Sequence, residues 1–210
     1  MTDWVTISGL ATAGGTLALA GATYGAVRSS NRSARVAELA LAQQLRPVLV
    51  QSQIDDPDQK IMFHGGHWIR AAGGEAVVEH MDGVVYLGMS LRNVGSGIGV
   101  LIGWYPWPNF DDSREPHAAP EQFRVQSRDL LIPADGIGLW QGALRDDSEE
   151  LHGAIARAAA AREGILIDLL YADHMGGQRS ITRFAITPVG EERRWLCGAA
   201  RQWQLDEAAA

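Results

Sequence analysis

One cysteine, Cys197, stands among 210 residues, so the chain can form neither an internal disulfide nor a cluster of thiolate metal ligands. Lysine is nearly absent too: Lys60 faces 17 arginines, a skew that follows GC-rich coding and carries no mechanism. Positive charge is in deficit overall, with a formal net charge of −7 and a pI near 5.3. A nucleic-acid surface needs a basic patch that replaces counterions, so nucleic acid is excluded as a partner. No G-x-S-x-G nucleophile motif occurs. What is present is ordinary: 46% hydrophobic and 20% charged residues exclude wholesale disorder, and the length fits one domain with an appendage.

The mean hydropathy of −0.08 hides a segment. Residues 4–27 carry no charge between Asp3 and Arg28, and as a helix they would extend about 36 Å. Of these 24 residues 16 are Gly, Ala, Ser or Thr, so the stretch is weakly apolar. The expectation is a transmembrane anchor over residues 1–28 that meets the membrane through 4–27. A cleaved signal peptide fits less well, since the basic residues Arg28, Arg32, Arg35 and Arg46 follow the segment instead of preceding it. That asymmetry places the N-terminus outside and the remainder in the cytoplasm, at the inner membrane. Gly21 and Gly25 fall at a spacing that lets two helices approach.

Charge divides the chain. Residues 1–45 hold three arginines against Asp3 and Glu38, while the rest holds 15 basic against 23 acidic residues. Residues 29–45 read as a juxtamembrane helix or neck that stops before Pro47. Residues 46–207 read as mainly β: an antiparallel β-sandwich, immunoglobulin-like or related, with one inserted helix at 148–162. Its start is marked by Asp147 and Glu150 at capping-box spacing, and its end by Gly164. Two hairpins are expected. A turn at Gly95-Ser96 sets Leu91 opposite Val100, Met89 opposite Ile102 and Leu87 opposite Trp104, with one apolar face. A turn at Gly176-Gly177 sets Leu169 opposite Phe184, Ile167 opposite Ile186 and Tyr171 opposite Thr182. Further strands are expected near 123–125, 129–133, 137–144 and 195–205.

Candidate sites are few. Gly95-Ser96-Gly97-Ile98-Gly99 lacks the helix that a phosphate loop requires, since a β-run follows it. His64 and His67 flank a Gly-Gly turn, with His80 and Asp55, Asp56 and Asp58 nearby. A zinc site needs three or four ligands, and nothing in the spacing joins these, so solvated loop histidines are favoured. Asp168 reads as an ordinary cross-strand partner of Arg183, and Asp173 points away from it, which denies the strand an acid/base pair. Cys197 reads as a buried inert thiol. Tyr86 opposite Tyr105, beside Gly88 opposite Gly103 and near Trp107, forms a shallow shelf for a peptide or flat ligand, unless another element covers it.

The small-residue segment with its arginine stop, Arg46-Pro47-Val48-Leu49-Val50, Leu91-Arg92-Asn93-Val94-Gly95-Ser96-Gly97, and Tyr171-Ala172-Asp173-His174 before Gly176-Gly177 carry a likeness. In these motifs the chain resembles uncharacterised single-pass membrane-anchored β-sandwich proteins of high-GC bacteria. The resemblance implies an anchored sandwich and brings no activity or cofactor. The function expected is a membrane-anchored, non-enzymatic interaction module facing the cytoplasm, binding a protein partner or a second copy of itself. The alternatives are a metal-dependent hydrolase built on His64 and His67, and an extracytoplasmic glycan-binding module using the Tyr86/Tyr105 shelf.

Overall fold

A computed structural model describes residues 4–190 and 194–205. The last two residues of the expected domain, 206 and 207, lie outside them. The chain divides into two compact units, Met1–Gln44 and Leu45–Ala210.

The first unit is one helix, α1 (Trp4–Gln44), 41 residues without a break. The segments expected as anchor and neck thus lie on one continuous helix. No proline interrupts the stretch, and Ala, Leu, Arg and Gln carry the helix on to the neighbourhood of Pro47. No helix among the described residues is long and apolar enough to cross a membrane. The transmembrane anchor expected at 4–27 is thus not supported. Length suffices, but side chains as small as Gly, Ala, Ser and Thr contribute little transfer energy, and the few Leu, Ile and Val residues do not make up the deficit.

The second unit is mainly β. A ten-stranded antiparallel sheet is built round β5 (Val84–Asn93). Strand β9 (Ile137–Leu144) lies along one side of β5, and β4 (Glu75–Met81) followed by β1 (Leu49–Gln51) along the other. A short pairing, Trp195 with Ala76 and Leu196 with Glu75, joins β4 to β12 (Arg194–Gln204). The order then continues through β11 (Ser180–Val189) and β10 (Ile165–Ala172) to β6 (Gly99–Trp107). The two-residue strands β7 (Arg124–Val125) and β8 (Leu131–Ile132) pair with β6. Because β4 and β12 pair, the sheet is continuous, unlike the two separate sheets of an immunoglobulin domain.

The alternating residues of β5 (Val85, Leu87, Met89, Leu91) share one core with Leu101 and Trp104 of β6, Ile165, Ile167, Leu169 and Tyr171 of β10, and Phe184 and Ile186 of β11. Helix α2 (Glu150–Ala161) closes this core with Ile155 and Ala158. It starts two residues after Ser148, and no side chain caps it: Asp146 accepts from the Ser148 amide and hydroxyl instead (3.0 and 2.5 Å). It ends at Arg162 in the left-handed region, φ 54°, two residues before Gly164. A separate hairpin, β2 (Gln59–Met62) with β3 (Trp68–Ala71), covers the outer face. There Ile61, Phe63, Ile69 and Ala71 pack on Tyr86.

The C-terminal hairpin forms, two residues out of the expected register: Ile167 pairs with Phe184, Leu169 with Thr182 and Tyr171 with Ser180. A shift of two leaves every side chain on its own face, so the apolar face survives. The hairpin expected at Gly95-Ser96 does not form. Residues 49–51 take the edge of β5 that β6 was to occupy, and the chain crosses to the far arm of the sheet. Asn93, fully buried, organises the crossing. Its Oδ1 accepts from the Val48 and Gly95 amides (3.1 and 3.0 Å), and its Nδ2 donates to the Gly97 and Ile132 carbonyls (2.7 and 3.3 Å). Here glycine serves close approach, since a Cβ on Gly97 would lie 1.6 Å from the Leu45 carbonyl oxygen. The expected facing of β6 also fails. A bulge opposite Leu170 and Tyr171 turns Leu101 and Trp104 inward and leaves Ile102 exposed.

Candidate functional site

Two groups of arginines stand out in this domain, and they differ in how fully their donors are engaged.

Arg183, in the middle of β11, lies directly opposite Asp168 of β10, and both side chains are fully buried. A guanidinium has five N–H donors, and here each has an acceptor. Nε donates to Asp168 Oδ1 (2.6 Å) and Nη2 to Asp168 Oδ2 (2.8 Å). Nη1 donates to the carbonyls of Asp112 (2.8 Å) and Glu115 (2.9 Å), and Nη2 also to that of Pro116 (3.1 Å). The rings of Trp107 and Trp203 lie 4.9 and 5.1 Å from the guanidinium carbon. Asp168 Oδ2 also accepts from Trp107 Nε1 (2.9 Å) and the Ala118 amide (3.2 Å). The cross-strand pair expected from the sequence is present, and it is fully buried and built into a larger network. This is a closed polar knot that pins residues 112–118 to the sheet, with no donor or carboxylate oxygen left for a ligand.

The second group surrounds a cleft of about 270 Å³ between the end of β9 and the segment after β7. Its lining includes Arg124, Arg128 and Arg145, together with Phe63, His64 and Trp104, and no Asp or Glu. Local pairing positions these groups. The buried Gln126 side chain donates to the carbonyls of Arg128 (2.8 Å) and Gln141 (3.3 Å), which ties the segment to β9. Gln141 in turn donates to Asp129, whose φ of 53° bends the chain away after Arg128. Arg124 pairs with Glu149 and lies over Trp104. Arg128 donates to the Met62 carbonyl (3.3 Å), and Arg145 sits 5.7 Å from the centre of the Tyr86 ring. Among the described residues Arg145 donates no hydrogen bond, and Arg124 and Arg128 donate one each.

The metal candidates separate. His67 Nε2 meets Glu79 Oε2 at 3.0 Å and its ring tilts over Tyr86 at 4.4 Å. His64 lines the cleft, and His80 lies on β4, 6.0 Å from the ring of His152. Among the described residues no three His, Cys, Asp or Glu side chains come together as metal ligands. Asp58 pairs with Arg70. Asp56 pairs with Arg92, whose hydrogen bond holds its carboxyl below the usual carboxylate range. Asp173 accepts from the amides of Gly177 (2.8 Å) and Gln178 (3.3 Å) and shapes the turn.

The aromatic shelf is not assembled either. It depended on β5 pairing with β6, and those strands lie in different arms of the sheet. Tyr86 and Gly88 are covered by the β2–β3 hairpin, where a Cβ on Gly88 would lie 2.8 Å from Ile61 and Ile69. Gly103 is closed by the Arg124 carbonyl, while Tyr105 packs on Trp107 at 5.1 Å.

Cys197 is buried against Met89, with Sγ to Sδ at 3.4 Å, and burial pushes its thiol up to about 12. At pH 8 the thiolate fraction is then on the order of 10⁻⁴. Ellman's reagent should label the native chain orders of magnitude more slowly than the chain in denaturant. Fast native labelling would contradict this burial.

No family model, curated protein or solved structure matches this chain. Of the motifs that carry the resemblance, residues 46–50 and 91–97 make the crossing, and residues 171–177 end β10 and enter its turn.

Proposed function

We propose that the chain is a non-enzymatic binding module whose working surface is the cleft lined by Arg124, Arg128 and Arg145. The observation that carries this reading is the contrast between the two arginine groups. Arg183 has every donor engaged in holding a loop, whereas the cleft arginines keep most of theirs directed at no protein acceptor. Concave sites with a few convergent polar groups are where ligands bind. Among the described residues the buried acid, Asp168, is locked by Arg183, and no hydrogen bond joins Ser127 to His64 at the cleft. On this reading the scaffold is a β-sandwich, with the β9–β5–β4 arm packed on the β12–β11–β10–β6 arm. The reading requires no membrane anchor.

Amide chemical shifts of the full chain test it, recorded at low ionic strength with acetate, inorganic phosphate, butylamine and glucose in turn. At least one probe should saturably move residues 63–64, 124–128 and 141–145. If none does, or if the shifts gather elsewhere, the cleft is not a binding surface.

A further inference from the structure

We infer that the cleft takes a phosphate-bearing small molecule, with the phosphoryl group held by Arg128 and Arg145 and flanked by Arg124. This rests on the cleft being the binding surface, and names its ligand. Three guanidinium groups and His64 line one recess that contains no carboxylate of its own. Glu149 balances Arg124, which leaves Arg128 and Arg145 without a carboxylate partner among the described residues. A single carboxylate ligand would bring one negative charge to these two groups. A phosphate monoester brings about −1.5 to −2 and three acceptor oxygens, which suits planar donor forks better.

Position is supplied in advance. The Arg145 guanidinium rests over Tyr86, and the Arg128 side chain is fastened by one end to the Met62 carbonyl, so its other donors remain available. Phe63 and Trp104 offer apolar surface for the remainder of the ligand. At about 270 Å³ the recess equals roughly nine water molecules of liquid volume. That admits a phosphoryl group with a small body. The net charge of −7 works against anions at a distance, so binding of an anion here reports local donors and not a general field.

Calorimetric titration of the full chain with methyl phosphate, acetate and a hexaglutamate peptide decides the matter. Methyl phosphate should bind saturably at one site and more tightly than acetate or the peptide. Arg145→Ala and Arg128→Ala should each weaken it by about tenfold, the size of one lost charged hydrogen bond. Arg145→Lys should fall between. Arg70→Ala, an exposed arginine on β3 paired with Asp58, should change nothing. All three positions lie at the surface, so unchanged melting temperatures will show that the variants fold. Tighter peptide or acetate binding, an equal loss in Arg70→Ala, or no saturation would overturn the inference. If glucose or butylamine moves the cleft amides while phosphate does not, the phosphate assignment fails and the binding module stands. If no probe moves them, both fail.

Discussion

Asp168→Ala is expected to be among the most damaging single substitutions in the domain. It leaves the Arg183 guanidinium buried, with two of its five hydrogen bonds and its neutralising charge removed. Breaking one half of a buried pair costs about 3–5 kcal/mol, which in a domain of this size lowers the melting temperature by roughly 6–20 °C. Trp107 Nε1 and the Ala118 amide also lose their acceptor. Residues 112–118 should therefore open to protease well below global unfolding. Replacing both members, as Asp168→Leu with Arg183→Met, should cost less than the two single losses added together, because no charge is then stranded. Denaturant melts of the two single variants and the double variant measure this. An Asp168→Ala chain within about 1 kcal/mol of the parent would show that the knot does not hold the loop.

Trp140→Ala should have a comparable effect through a different cause. Trp140 of β9 is fully buried opposite Met89, edge-on to Trp104 at a ring separation of 5.3 Å. Truncation leaves a large cavity where two arms of the sheet meet, at a cost of about 3–5 kcal/mol. Trp140→Phe should be far milder than its loss of volume implies. The Trp140 Nε1 hydrogen has no acceptor among the described residues, and an orphaned buried donor already costs about 1–3 kcal/mol. Phenylalanine removes that penalty while keeping an aromatic ring against Trp104. Denaturation midpoints should therefore rank the parent first, Trp140→Phe close behind and Trp140→Ala last by a wide margin. Equal losses in the two variants would mean that the indole nitrogen finds a partner in solution.

Local pattern made part of this architecture legible. Strand β9 lies at 137–144 as its alternation indicates, and two apolar faces identify the β10–β11 pairing, although its register is offset by two residues. Period-two alternation cannot separate registers that differ by two, which is why the faces were right and the partners wrong. The β5–β6 hairpin failed for a non-local reason. Two alternating runs flanking a glycine pair fit a hairpin equally well when the second run belongs to the opposite arm, and only the intrusion of residues 45–51 decides between them. Asp82-Gly83 is a stronger local signal: at φ 52° and 74° it forms the two-residue turn joining β4 and β5.

The sites divide in the same way. Asp168 and Arg183 each interrupt an apolar strand run, and a charge in such a place has to find a buried partner. That signal was present in the sequence. The cleft has no such signature. Its walls come from the tip of the β2–β3 hairpin, from β6, from the segment after β7 and from the end of β9, and no spacing along the chain brings them together. His64 lines it, as one wall of the anion site proposed above.

We propose the arginines around the cleft as the working groups of this protein, while Arg183 holds the loop at residues 112–118. Crystals of the full chain soaked in tungstate, a tetrahedral oxyanion with a strong anomalous signal, test it most directly. The account places the anomalous peak within hydrogen-bond reach of Arg128 and Arg145, beside Arg124. A peak at Arg183, or no peak in the cleft under conditions where tungstate binds elsewhere on the chain, would contradict it.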